Sequence, residues 1–95
     1  MRTEDEQAVK VYRALGDPTR YRIVQMLAET DELGCADFAA AFRLSAAALS
    51  HHTRILQDCG LITMRKEGPH HFFRLRREHL ARFAPFLTDS PGSND

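Results

Sequence analysis

A chain of 95 residues, 43% hydrophobic and 27% charged, makes one small globular domain. Its thin core makes oligomerisation an obvious remedy for marginal stability. No apolar run approaches membrane-spanning length, and the charged opening "MRTEDEQ" has no apolar stretch behind it, which argues against a secretory signal and for the cytoplasm. Thirteen Lys and Arg balance thirteen Asp and Glu, so bulk charge does not advertise a polyanionic partner.

The first expected helix is Glu4–Leu15, with Ala8, Val11, Tyr12 and Leu15 at helical spacing. "GDP" ends it at Gly16, caps the next helix with Asp17 and starts that helix at Pro18, where a missing N–H costs nothing. The second helix runs to about Glu29, with Ile23, Val24, Met26 and Leu27 inward and Arg20 and Arg22 outward. After the polar break "ETDELG" comes a short third helix, Cys35–Phe42, with Phe38, Ala39 and Phe42 as its apolar stripe. "RLS" is a tight turn. Ser45 caps a fourth helix that carries Leu49, Leu56 and Cys59 on one face and stops at Gly60.

The period then changes to two. "LITMRKEGPHHFFRL" predicts a β-hairpin, Leu61–Lys66 and His71–Leu75, turning at "EGPH". A last helix is expected over Glu78–Leu87, with Leu80, Phe83, Ala84 and Leu87 apolar and Pro85 kinking it or ending it early. "TDSPGSND" reads as a disordered tail. The fold class is therefore mainly α with a small β-hairpin wing (α+β), in the order α-α-α-α-β-β-α. It is one domain over residues 1–95, with 1–5 and 88–95 as flexible tails.

Short helix, tight turn, capped helix and basic hairpin is the order of a winged helix-turn-helix, in which the second helix of the pair enters the DNA major groove. Charge is unevenly spread in support. Residues 26–42 hold Glu29, Asp31, Glu32 and Asp37 and no Lys or Arg. Residues 65–82 hold Arg65, Lys66, Arg74, Arg76, Arg77 and Arg82 against Glu67 and Glu78. Such a cationic half can face phosphate, or it can be a solvated surface.

The stretches "ALGDPTRYRIVQML" (14–27), "LSAAALSHHTRILQDCGLI" (44–62) and "RKEGPHHFFRL" (65–75) resemble the arsenic-repressor-like (ArsR/SmtB) transcriptional regulators, over about Tyr12 to Leu80. The resemblance implies a dimeric winged-helix repressor, released from DNA by metal ions, metalloids or redox chemistry, with the first and last helices forming the dimer interface. It makes Val11, Tyr12, Leu15, Leu80, Phe83 and Leu87 dimer or core residues, incompletely covered in a monomer.

Similar proteins carry Gln, Pro and Thr or Ser in the first turn of the DNA-reading helix. Here Ala46, Ala47 and Ala48 offer only methyls, which can touch thymine methyls but not hydrogen-bond a base. Polar readout falls to Ser50, His51 and Arg54. Ser45 caps the helix and can present free N–H groups to a phosphate. Arg43, Arg65, Lys66, His70 and His71 are candidates for the backbone or minor groove. His52, three residues after Leu49, lies on the inner flank and suits a structural hydrogen bond.

The family's thiolate site is a Cys-x-Cys at the start of the third helix. The matching stretch "ELGCADF" puts Gly34 and Ala36 at the ligand positions and Cys35 between them, and one thiolate cannot hold a soft ion. The family's other site bridges the last helices of the dimer. Only His79 is suitably placed for it, and Arg77 stands where a carboxylate belongs. No metal or other cofactor is therefore expected. Cys35 and Cys59 read as free thiols in a cytosolic chain. They are either small packing residues or a redox pair, Cys35 being the better thiol if the helix N-terminus lowers its pKa.

No Ser/His/Asp grouping, paired carboxylates or Gly-rich phosphate loop suggests an enzyme. The reading is a dimeric repressor on an inverted-repeat DNA operator, bound through the 45–59 helix and the 61–75 wing. The alternative is a winged-helix module that contacts proteins and has no operator of its own.

Overall fold

The computed structural model describes residues 2–87. Five helices, α1 (Thr3–Leu15), α2 (Pro18–Ala28), α3 (Cys35–Ala41), α4 (Ala46–Asp58) and α5 (Arg77–Phe83), surround strands β1 (Leu33–Gly34), β2 (Ile62–Glu67) and β3 (His70–Leu75). The strands form one antiparallel sheet in the order β1-β3-β2. β1 was not expected: two residues are too few to show an alternating pattern, and Leu33 and Gly34 pair with Phe73 and Phe72 only because α3 brings them there.

Local chemistry sets the helix ends. The Asp17 carboxylate accepts the Arg20 backbone N–H at 3.1 Å, with Pro18 next in the chain. The Ser45 hydroxyl accepts the Ala48 N–H at 3.1 Å, so each cap satisfies an otherwise orphaned donor. At the other end of α4, Gly60 sits at φ +86°, where an added Cβ would also lie 2.9 Å from His79 Nε2; only glycine fits. α5 stops at Phe83 rather than Leu87. Ala84 is thrown out of helical geometry at φ −143°, ψ 61° because the ring of Pro85 disfavours a helical residue before it. A single 3₁₀ turn, Pro85–Leu87, follows. The N-terminal boundary moves the other way: α1 begins at Thr3, so residues 3–5 are helical and not a tail. The tail expected at 88–95 lies outside the described residues.

Ile23, Val24, Leu27, Phe38, Leu56 and Leu61 form the centre of the core, closed by Val11 of α1 and Leu80 of α5. Phe38 meets Phe73 of β3 with ring centres 6.1 Å apart. This corrects the expectation of incomplete cover for four of the six dimer-or-core residues. Val11, Leu15, Leu80 and Phe83 are buried within the single chain and have little surface left for a partner. Tyr12, 52% exposed, and the half-buried Leu87 keep some. Ala39 faces outward, not into the core, because the seven-residue α3 makes barely two turns and spends its inner face on Phe38.

Asp17 links the fold to pH. The Arg20 N–H holds its carboxyl below the ordinary carboxylate range, opposed by slight burial and aided by the Arg20 charge. A depressed carboxylate stabilises the fold above its unfolded pKa, and that contribution is lost as pH falls through the folded value. Asp17→Ala is expected to cost about 1 kcal/mol, a drop of about 4–8 °C in melting temperature for a domain of this size. The deficit should be constant from neutral pH to about pH 5 and shrink below about pH 4. Melts in buffers spanning that range measure it; a deficit that grew on acidification would refute the cap.

Candidate nucleic-acid interface

α4 presents two different faces. Leu49, Thr53 and Leu56 are buried, and Thr53 returns its hydroxyl to the Ser50 carbonyl at 3.2 Å. Ala46, Ala47, Ser50, His51 and Arg54, spaced one turn apart in pairs, are exposed on the other side. The N–H groups of Ala46 and Ala47 belong to the unsatisfied first turn of a 13-residue helix, and their small side chains leave that turn open to close approach. Arg43 and Arg54 are exposed and have no carboxylate partner among the described residues.

What holds α4 was only half visible in sequence. Arg20, expected outward, turns inward. Its Nε donates to the Ala14 carbonyl at 2.8 Å, one terminal nitrogen reaches the Arg13 carbonyl at 3.5 Å, and the other donates to His52 Nδ1 at 3.2 Å. A guanidinium only donates, so Nδ1 is the acceptor and the neutral ring carries its proton on Nε2. Asp17 lies 3.8 Å from the same nitrogen. At the far end of α4, His79 Nε2 meets the Cys59 carbonyl at 2.9 Å. The Nε2 of His79, the imidazole considered above for a helix-bridging metal, thus lies against the C-cap of α4.

The wing divides its cations by strand alternation. Lys66 pairs with His71, Met64 with Phe73 and Ile62 with Leu75 on the face toward the helices. There His71 joins Ser45, Ala46 and Ser50 around a groove of about 460 Å³ between α3, α4 and β3. Arg65, Phe72, Arg74 and His70 lie on the opposite face. Arg65 is not an open phosphate contact. It makes a two-pronged ion pair with Glu32 at 2.8 and 2.9 Å and a second pair with Glu67 at 2.7 Å, and these carboxylates raise its pKa further.

Most other cations of the C-terminal half are also engaged within the chain. Arg74 meets Glu32 at 3.3 Å, Arg76 donates to the Gly60 carbonyl at 3.3 Å, and Arg82 pairs with Glu4. Arg77 closes the C-terminus of α2 by donating to the carbonyls of Leu27, Ala28 and Thr30. Lys66 is the exception: it is exposed and has no carboxylate partner among the described residues.

Both thiols are free. Cys35 stands at the start of α3, yet burial raises its pKa, the reverse of the helix N-terminus argument. Cys59 is more deeply buried; burial raises its pKa too, and its Sγ donates to the Leu56 carbonyl at 3.3 Å. At Gly34, the first expected thiolate position, an added Cβ would lie 3.1 Å from the Phe72 ring. No group of three His, Cys, Asp or Glu side chains that could hold a metal converges among the described residues. No described helix is long and apolar enough to cross a membrane.

Residues 17–64 match the family model for bacterial regulatory proteins of the arsR family. The chain is 39% identical over 71 residues to a cadmium resistance transcriptional regulatory protein, a CadC homolog, of Staphylococcus aureus, covering 75% of this chain and 59% of that one. It is 36% identical over 90 residues to a transcriptional repressor SmtB homolog of Synechocystis, covering 95% of this chain and 67% of the relative. The structure of HlyU from Vibrio cholerae superposes with a TM-score of 0.77 at 30% identity, covering 90% of this chain and 94% of the other.

The thiol environments predict slow chemistry. Raised pKa values lower the thiolate fraction at neutral pH, so Cys35 should react with an aromatic disulfide reagent more slowly than a small free thiol. Cys59 should react more slowly still, on a scale set by opening of the core. Stopped-flow labelling of the parent and Cys59→Ala at pH 7 tests this; a Cys35 faster than the free thiol would contradict the burial argument.

Proposed function

The chain belongs to the arsR family of bacterial regulatory proteins, which are DNA-binding transcriptional regulators and not enzymes. From that premise we propose that it acts in the cytoplasm as a homodimeric repressor on an inverted-repeat operator. The observation that carries this is the exposed face of α4, where Ser50, His51 and the unpaired Arg54 follow an open, capped N-terminus. The first turn sets phosphate and thymine-methyl contacts through Ser45, Ala46 and Ala47, Ser50, His51 and Arg54 read base edges, and Arg43, Lys66 and His71 bracket the site from its flanks.

Dimerisation uses what the monomer leaves uncovered. Val9 and Tyr12, one turn apart on α1, are 37% and 52% exposed, and Phe86 just after α5 is 59% exposed. The Tyr12 hydroxyl donates to the Phe83 carbonyl, which ties the exposed side of α1 to the end of α5, the two places where this apolar surface is left. Two α4 helices related by a two-fold would then enter successive major grooves, about 34 Å apart or a multiple of that.

Light scattering at micromolar concentration should return a dimer, and Val9→Glu/Phe86→Glu a monomer with much weaker operator binding; a monomeric parent would refute the interface. Arg54→Ala should lose about 1–3 kcal/mol of operator affinity through lost base contacts, with random duplex affected less. Equal operator affinity at every salt concentration would show that Arg54 does not read DNA.

A further inference from the structure

We propose that Glu32 is a charge mask on the wing: its carboxylate holds Arg65 and Arg74 on the face turned away from α4 and withholds them from DNA phosphates, limiting binding to non-operator DNA. This rests on the DNA-binding reading above and adds a residue that sets specificity without touching DNA.

The mask is built from a row across the sheet. Gly34, Phe72 and Arg65 are register partners on β1, β3 and β2. Lacking a side chain, Gly34 lets the Phe72 ring lie over β1, where a Cβ would be only 3.1 Å from it. The Arg65 guanidinium stacks on that ring, 4.6 Å from its centre, and so reaches over β3 to Glu32 beside β1. There Nε and one terminal nitrogen engage the two Glu32 oxygens, and the other terminal nitrogen engages Glu67. Each Arg65 nitrogen thus donates to a carboxylate. Arg74 meets Glu32 from the neighbouring position. Two carboxylates face two guanidiniums, and the quartet sums to zero.

Position separates this cluster from an ordinary surface pair. The Glu32 side chain is only 19% exposed, whereas Arg65 and Arg74 are 50% and 63% exposed. The anion is enclosed and the cations stand at the surface of the element that flanks α4. Exposed ion pairs add little to fold stability, so the larger consequence is for the field that DNA meets. Two unmasked arginines on a wing would strengthen binding to every duplex alike, since phosphate contacts carry no sequence information. Operator selection depends on the ratio of specific to random affinity, which the mask protects. Lys66, on the other face of the same strand, stays available.

The test is fluorescence anisotropy on a random-sequence duplex across a salt series, with the parent, Glu32→Gln, Arg65→Gln and the double variant. Glutamine keeps a hydrogen-bonding group at position 32 and removes the charge, leaving the quartet one net positive charge. Glu32→Gln should bind random duplex more tightly than the parent, with a log–log salt slope steeper by about 0.9, so its advantage falls about 3.5-fold between about 50 and 200 mM salt. Arg65→Gln, which removes a cation already satisfied, should keep the parental slope, and the double variant, in which Arg74 still lacks its Glu32 partner, should keep the steeper slope of Glu32→Gln. Parallel lines for parent and Glu32→Gln, weaker binding by Glu32→Gln, or a slope flattened by about 0.9 in Arg65→Gln would each overturn the mask. The Arg65→Gln arm decides the matter even if Glu32→Gln folds poorly. A parent with no salt-dependent duplex binding would instead remove the DNA-binding reading itself.

Discussion

Arg20 reaches from α2 to the Arg13 and Ala14 carbonyls in the last turn of α1 and to His52 on α4, so one guanidinium fixes the mutual placement of three helices. The C-terminal turn of α1 leaves carbonyls without intrahelical donors and carries the negative end of the helix dipole. A planar fork of N–H donors answers both needs and still has a prong for the imidazole. Lysine, a single point of charge, could not span these acceptors in one geometry. Asp17, capping α2 through the Arg20 backbone N–H and lying 3.8 Å from His52, balances the charge. The helix with the exposed Ser50, His51 and Arg54 face is thereby tied to α1, the helix proposed to meet the partner subunit. In the proposed dimer, registration between two half-sites would depend on the hydrogen-bond geometry around this one side chain.

A chain of zero formal net charge can serve a polyanion only through local fields, and the structure shows how those are sorted. Arg76, Arg77 and Arg82 close the ends of α4 and α2 or tie α5 to α1. Arg65 and Arg74 face Glu32. Arg43, Arg54 and Lys66, which have no carboxylate partner among the described residues, lie on α4 or on the segments flanking it. The acidic stretch 26–42 meets the basic stretch 65–82 through Glu32, which pairs with Arg65 and Arg74. The sequence shows them as separate blocks, because the pairing runs through strand β1.

How much was legible follows from whether the signal is local. Asp17, Pro18, Ser45 and Gly60 act on backbone groups within a few residues, so four helices and the hairpin could be read with boundaries good to about two residues. The period-two stretch gave the wing, and Pro85 announced the break that shortened α5. The errors concern long arms and long-range partners. Periodicity places Arg20 outward and the basic wing offers Arg65 to phosphate, but an arginine can carry its charge across to a neighbouring element, and neither a helical wheel nor a basic segment says where the guanidinium ends. The resemblance makes Val11 and Leu80 dimer or core residues without deciding between the two. In three dimensions the first and last helices meet the core first, and only Val9, Tyr12, Phe86 and part of Leu87 remain.

The alanine turn of α4 fits this sorting of roles. Ala46 and Ala47 remove side chains from the place where the helix N-terminus would come closest to the duplex, so two unsatisfied N–H groups and the positive end of the dipole can approach a phosphate without steric hindrance. Such contacts fix register and orientation and are indifferent to sequence. In the proposed function, discrimination is displaced one turn along, to Ser50, His51 and Arg54, on a helix that the Ser45 cap and the Arg20–His52 hydrogen bond hold in place. A helix with few base-reading groups depends more heavily on being rigidly seated and on a low background of indiscriminate attraction. The guanidinium behind α4 meets the first condition, and on the proposal above the carboxylate beneath the wing would meet the second.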